Sequence, residues 1–158
     1  MKFGIFTKPI HVEKIVNYLN SVGISDYIIS TNKREIDSYE FEIGVSYCFQ
    51  SIIDIGDKMW YNYHPAPLPK YPGLSNYSAP IKDKIRHFGV TLHIMTGDID
   101  KGPIIKKKMF PLESIPINSN ELGNITHYYL FQLFKETIGV LHKRPLSEEE
   151  LDEYNTDI

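Results

Sequence analysis

A chain of 158 residues with 42% apolar and 23% charged side chains is long enough to bury one core and too evenly mixed for disorder or a fibrous repeat. Its net charge of -3 lacks the basic surplus of a nucleic-acid binder, and no apolar run approaches membrane-spanning length. A single cysteine, Cys48, excludes an intrachain disulfide, and the opening MKFGIFTKPI is too short and interrupted for a secretory signal. The expectation is one cytoplasmic domain over residues 1–158, with no membrane or nucleic-acid partner and with 145–158 as a peripheral acidic tail.

Lys2 to Phe6 is a short apolar run halting at Thr-Lys-Pro, the pattern of a buried strand entering a turn. Val12, Ile15, Val16, Leu19 and Val22 then recur at helical spacing and stop at Gly23, a natural C-terminal cap. Asp26 to Thr31 and Ile43 to Tyr47 read as a second and third strand, so the alternation predicts an α/β fold with a parallel sheet. Met59 to His64 reads as another strand. It runs into four prolines within residues 65–72, which deny that segment both helix and sheet ladders and make it a stiff loop.

Ile81, Ile85 and Phe88 predict a helix ending at Gly89, followed by a strand from Val90 to Met95, a turn from Gly97 to Gly102 and a strand from Ile104 to Phe110. The adjacent Lys106, Lys107 and Lys108 read as a solvated strand end. Asn118 with Glu121 three residues later resembles a capping box, opening a long helix through Leu122, Ile125, Tyr129, Leu133 and Ile138 toward Gly139. After Pro145 the acidic tail predicts a short or fraying helix.

No Gly-x-Gly-x-x-Gly follows the first strand and no Gly-x4-Gly-Lys-Ser/Thr occurs, which argues against hydride transfer and ATP hydrolysis. Instead Asn62-Tyr63-His64 falls at the C-terminal end of a strand, the edge where open parallel sheets bind ligands. Residues two apart on an extended chain project the same way, so Asn62 and His64 face one space. An amide that steadies an oxyanion beside an imidazole that moves a proton suits acyl transfer. Asp98 and Asp100 supply a candidate carboxylate if their strand neighbours Met59–His64.

Blander readings compete. A His before Pro is commonly a turn residue, and Asp-x-Asp is commonly turn chemistry. His64, His93, Asp98 and Asp100 offer zinc-ligand types without a close metal-binding grouping, and mid-strand His93 reads first as a buried or supporting residue. A calcium loop fails because the twelfth position is Met109 and Gly102 is one place early. Apolar surroundings make Cys48 a buried, inert thiol rather than a nucleophile.

Two blocks, Asn62-Tyr63-His64-Pro65-Ala66-Pro67-Leu68-Pro69-Lys70-Tyr71-Pro72-Gly73 and Gly89-Val90-Thr91-Leu92-His93-Ile94-Met95-Thr96-Gly97-Asp98-Ile99-Asp100-Lys101-Gly102-Pro103-Ile104-Ile105, resemble the folate-dependent formyltransferase family. That family includes glycinamide ribonucleotide transformylase, methionyl-tRNA formyltransferase, the formyltetrahydrofolate hydrolases and the sugar N-formyltransferases. The similarity runs from about residue 43 to residue 110. It implies a Rossmann-like, mostly parallel sheet flanked by helices, the formyltransferase fold. Too little chain between Thr31 and Ile43 makes the N-terminal part abbreviated.

Carried over by position, the resemblance implies a catalytic triad of Asn62, His64 and Asp100, with His93 matching a histidine often present on that strand. It implies N10-formyltetrahydrofolate as co-substrate, no metal, and a cofactor site at Ser46–Ser51 and Met95–Asp100, specifically Tyr47, Cys48, Phe49, Gln50, Thr96, Gly97 and Asp98. His-Pro-Ala-Pro-Leu-Pro looks most like the sugar enzymes, which implies a nucleotide-linked amino sugar, with dTDP-4-amino-4,6-dideoxyglucose as the model acceptor. Lys8, Tyr71, Asn76 and Tyr77 are the substrate-binding candidates, and a homodimer is compatible. The tRNA enzyme would need a further C-terminal domain and the hydrolase an N-terminal regulatory one. Glycinamide ribonucleotide-type transfer, hydrolysis and a silent folate-binding module are the alternatives.

Overall fold

The computed structural model describes residues 2–49, 51, 53–73, 77–116 and 118–155. β1 (Phe3–Thr7), β2 (Tyr27–Ser30), β3 (Ile43–Tyr47), β4 (Met59–His64), β5 (His87–Ile94) and β6 (Ile104–Pro111) form one sheet in the order β2-β1-β3-β4-β5-β6. The first four strands are mutually parallel, whereas β5 runs antiparallel to both β4 and β6. The sheet is therefore mostly parallel and flanked by helices, as expected. The abbreviated link between β2 and β3 is a single 3-10 turn, Lys33–Ser38.

Helix α1 (Pro9–Ser21) starts with proline at its first position, where the missing N–H costs nothing. It ends as the sequence predicts: Gly23 takes φ 76°, its N–H donates to Asn20 O and the Ile24 N–H donates to Leu19 O. That pair of bonds satisfies carbonyls the helix end would otherwise orphan. Helix α3 (Ser119–Leu141) opens with Asn118 accepting from the Glu121 N–H at 2.9 Å.

Two expectations fail locally. Residues 81–88 do not form one helix: α2 (Ser78–Lys82) is short and β5 already begins at His87, so Phe88 packs from a strand. The three-to-four spacing of Ile81, Ile85 and Phe88 reflects apolar residues on both sides of a turn. α3 also passes through Gly139 to Leu141, because buried Ile138 and Leu141 hold its last turn against the core.

Strand alternation divides the sheet into two faces. Phe3, Ile5, Val45, Tyr47, Tyr61, Tyr63, Val90 and Leu92 join Ile15 and Leu19 of α1 and Leu130, Leu133 and Phe134 of α3 in the main core. On the opposite face, Phe6, Phe41, Ile53 and Trp60 make a smaller aromatic cluster. Asn62 and His64 share Trp60's parity, so they too avoid the helix-covered face. Helix α4 (Glu148–Asn155) follows buried Leu146, whose N–H donates to Tyr61 Oη at 3.2 Å.

Lys106, Lys107 and Lys108 lie inside edge strand β6 rather than at a solvated end. Lys106 and Lys108 both reach Glu136 of α3, while Lys107 Nζ donates to Leu68 O on the other face. Gly44 of β3 sits under the Trp60 indole, and a Cβ there would lie 2.2 Å from the ring. Gly44→Ala is expected to cost about 1–3 kcal/mol by overpacking. Urea unfolding followed through the emission of Trp60, the sole tryptophan, checks this, and an unchanged midpoint would contradict the packing described.

Candidate active site

β4 and β5 pair with Asn62 opposite His93 and His64 opposite Thr91. Because directly opposed residues project to the same face, the pairing delivers Asn62, His64 and His93 to one side of the sheet. Asn62 Nδ2 lies 3.1 Å from His93 Nε2, and His93 Nδ1 lies 2.9 Å from Ile94 O. A carbonyl only accepts, so Nδ1 carries the His93 proton and Nε2 accepts from the Asn62 amide. Thr91 donates to Ala66 O at 2.8 Å and accepts from the Leu68 N–H at 3.0 Å, pinning the start of the proline loop to β5.

That pinned loop returns to the histidine. His64 Nε2 donates to Tyr71 O at 3.2 Å, which leaves Nδ1 as the ring's free acceptor, 3.7 Å from Asp100 Oδ1. The same carboxylate oxygen is 3.7 Å from His93 Nε2, and Asp100 Oδ2 accepts from the Gly73 N–H at 2.5 Å. Asp100 thus joins the two histidines and the end of the proline loop, with only 6% of its side chain exposed. Asp98 instead lies exposed in a turn closed by Thr96.

Burial lowers the pKa of His64, while the charge of Asp100 and the hydrogen bond to Tyr71 oppose that shift. Burial alone would raise Asp100, but the two imidazoles beside it and the hydrogen bond from the Gly73 N–H bring it below the usual carboxylate range. The resting site therefore pairs a carboxylate with a neutral imidazole whose Nδ1 can take up a proton. Cys48, Tyr71 and Asp100 all have φ between 52° and 57°, a left-handed conformation that non-glycine residues adopt at a cost. Backbone of this kind gathers around functional clefts.

The cleft is a cavity of about 390 Å³. Its chemical end carries Asn62, His64, His93 and Asp100, and its apolar wall carries Phe49, Ile53 and Met95. Of the expected cofactor residues, Cys48, Phe49, Thr96, Gly97 and Asp98 line it. Tyr47 does not: its side chain is fully buried in the main core against Tyr63, Phe134 and His11, because its strand parity is opposite to that of Ser46. Gln50 lies outside the described residues.

The substrate candidates fare differently. Tyr71 points its hydroxyl at Asp83, 2.6 Å away, and its ring at Phe88, so its carbonyl rather than its side chain serves the site. Tyr77 is buried against Phe88 and Gly123 in the core. Asn76 is outside the described residues. Lys8 immediately precedes α1 and is absent from the cavity lining; its charge acts on Cys48, His11 and His127. The site residue that spacing underweighted is His93, since only cross-strand register reveals that it joins Asn62 to Asp100.

The sheet ends in this cleft, and the sequence carries no nucleotide-binding glycine loop beside it. The Formyl transferase family profile matches residues 49–127, half of the chain, and the chain belongs to that family. It is 31% identical over 84 residues to phosphoribosylglycinamide formyltransferase of Escherichia coli strain K12, covering 50% of this chain and 40% of that protein. It is 29% identical over 151 residues to methionyl-tRNA formyltransferase of Thermotoga sp. strain RQ2, covering 94% and 43%. The chain thus spans less than half the length of these relatives.

Among solved structures, the N-formyltransferase of Helicobacter canadensis in complex with folinic acid and dTDP-3-aminofucose superposes with a TM-score of 0.74. The two are 23% identical, and the match covers 89% of this chain and 64% of that one. A sugar N-formyltransferase from Shewanella sp. gives 0.74 at 19% identity over 94% and 74%. These likenesses establish the fold. Among the described residues no helix is long and apolar enough to cross a membrane.

The folded protein holds His64 below its ordinary 6.5, so the unfolded chain binds more protons there. Stability is therefore complete above about pH 6.5 and declines as pH falls toward the folded value. Asp100→Asn is expected to lower the His64 pKa further, because the negative charge that favours the imidazolium is gone. An NMR titration of the imidazole resonances checks this, and a raised pKa would contradict the assigned contact.

Proposed function

We propose that this chain is a formyltransferase moving a formyl group from N10-formyltetrahydrofolate to the amine of a nucleotide-linked amino sugar. The observation that supports it most directly is the convergence of Asn62, His64, His93 and Asp100 in the wall of a mostly apolar cavity. A cavity of about 390 Å³ lies within the range of small-molecule sites, and its Phe49, Ile53 and Met95 wall suits a flat heteroaromatic ring. Cys48, Phe49, Thr96, Gly97 and Asp98 would hold the folate, which supplies the activated formyl carbon.

The residues divide the work by their hydrogen bonds. Asn62 gives one amide hydrogen to His93 and keeps the second for the oxyanion that forms as the amine adds to the formyl carbon. His93 fixes the plane of that amide and is a positioning residue. His64 accepts the amine proton on Nδ1, its only free nitrogen, and Asp100 stabilises the resulting imidazolium. No covalent enzyme intermediate is required, since holding the two reactants together supplies much of the rate.

The acceptor is proposed as a dTDP-linked amino sugar, with dTDP-4-amino-4,6-dideoxyglucose as the first compound to test. The likeness to a structure whose partner is described as dTDP-3-aminofucose brings the 3-amino isomers into the same trial. Glycinamide ribonucleotide is the second reading, favoured by the 31% identity to the Escherichia coli purine enzyme. Lys8 and Asn76 are proposed as contacts with the acceptor, and the working unit as residues 1–158, with 145–158 as its acidic edge.

Incubation with N10-formyltetrahydrofolate and a panel of dTDP-, UDP- and GDP-linked amino sugars plus glycinamide ribonucleotide is expected to add one formyl mass to a sugar nucleotide. Formate release with no amine present would instead indicate hydrolysis, and folate binding without turnover would indicate a silent module. His64→Asn and Asp100→Ala are each expected to lower kcat by about 10²–10⁴-fold. Asn62→Ala is expected to lower it by about 10²–10³-fold. Unchanged rates in folded His64→Asn protein would remove the mechanism.

A further inference from the structure

His11, Cys48 and His127 are 37 and 79 residues apart along the chain, yet one donor atom from each lies within 4.8 Å of the other two. They come from three elements: His11 from the first turn of α1, Cys48 from the residue after β3, and His127 from the third turn of α3. Cys48 Sγ lies 3.9 Å from His127 Nδ1, and the two imidazole centroids are 5.2 Å apart. His11 is 6% exposed, and its Nδ1 is buried without a hydrogen-bond partner among the described residues. A buried imidazole nitrogen left unpaired is unusual and points to a ligand.

We propose that His11, Cys48 and His127 form a metal site of the Cys-His-His type, with a fourth position open, and that zinc is its natural fit. Zinc is bound at about 2.3 Å by thiolate and about 2.0–2.1 Å by imidazole, so tetrahedral donors lie about 3.3–3.7 Å apart. Separations of up to 4.8 Å close to that range by about 1.1–1.5 Å, a change shared among the three side chains. Soft sulfur with two neutral nitrogens excludes calcium and magnesium, which demand oxygen. Binding releases the Cys48 proton to solvent, as for any thiol ligand.

The surroundings support the assignment. Burial disfavours the Cys48 thiolate, and Lys8 and Lys14 are the cations that oppose that effect. Their charge also favours an anionic fourth ligand, such as hydroxide, over neutral water. Cys48 follows the core residue Tyr47 in a left-handed turn, joins His11 of α1 and His127 of α3, and also lines the cleft. A metal here ties both helices to the catalytic end of the sheet without touching Asn62, His64 or Asp100.

Titration of the metal-free chain with Co²⁺ tests this without reference to turnover. One equivalent is expected to bind with intense tetrahedral d–d bands and a thiolate-to-cobalt charge-transfer band, and added Zn²⁺ should bleach both. Cys48→Ser should abolish the charge-transfer band, and His127→Ala should weaken Co²⁺ binding by roughly tenfold or more. Zn²⁺ should raise the Tm of the unaltered chain and not that of His127→Ala, whose fold is checked by circular dichroism. Absence of a charge-transfer band in the unaltered chain, or equal Co²⁺ affinity in folded His127→Ala, overturns the site.

Discussion

The carboxylate of Asp100 is held between two buried imidazoles and a backbone N–H, and the geometry of the cleft depends on that contact. Reaching it is not simple for the chain. β5 runs antiparallel to β4, so it passes His64 at Thr91 and ends with Ile94 opposite Tyr61, beyond the level of His64. The segment after Ile94 must turn back along the sheet, and it does so with Asp100 in a left-handed conformation and Gly102 crossing the Ile94 carbonyl. A Cβ on Gly102 would lie 1.6 Å from that oxygen, so only glycine permits the crossing.

The same contact joins parts of the molecule with unlike stabilities. The β4–β5 ladder is buried and rigid, whereas the proline loop has few ladder bonds of its own and is located by Thr91, by His64 and by Asp100 through Gly73. Proline limits the conformations the loop can take when free, which lowers the entropy lost on fixing it. The outcome is a site whose polar groups are oriented before any ligand arrives, the condition under which fixed dipoles stabilise developing charge most strongly.

Strand parity separates chemistry from core throughout. Tyr61, Tyr63 and Tyr47 face the helices and pack with Phe134, while Trp60, Asn62 and His64 face the other way. This explains why Tyr47, adjacent to the cleft along the chain, contributes nothing to its lining, and why Cys48 belongs partly to each side. Its thiol is raised to about 12 by burial, so as a free thiol it is inert, consistent with the sequence expectation; a bound metal would remove that proton outright.

Periodicity and turn residues sufficed for most elements: β3 and β4 fall at Ile43–Tyr47 and Met59–His64, Gly23 caps α1 and Asn118 caps α3, because these are local signals read within a few residues. The failure at residues 81–88 is also local, since apolar side chains three or four apart occur across a turn as well as on a helix. Motif order in the sequence likewise determined membership of the formyl transferase family and marked Asn62, His64 and Asp100. Which residues meet was decided only by the tertiary structure. The register that sets His93 against Asn62, the outward turn of Tyr71 toward Asp83, the burial of Tyr77 and the gathering of His11, Cys48 and His127 all depend on contacts between segments far apart along the chain. Local residue preferences carry no information about such contacts, because their geometry follows from strand order and helix packing.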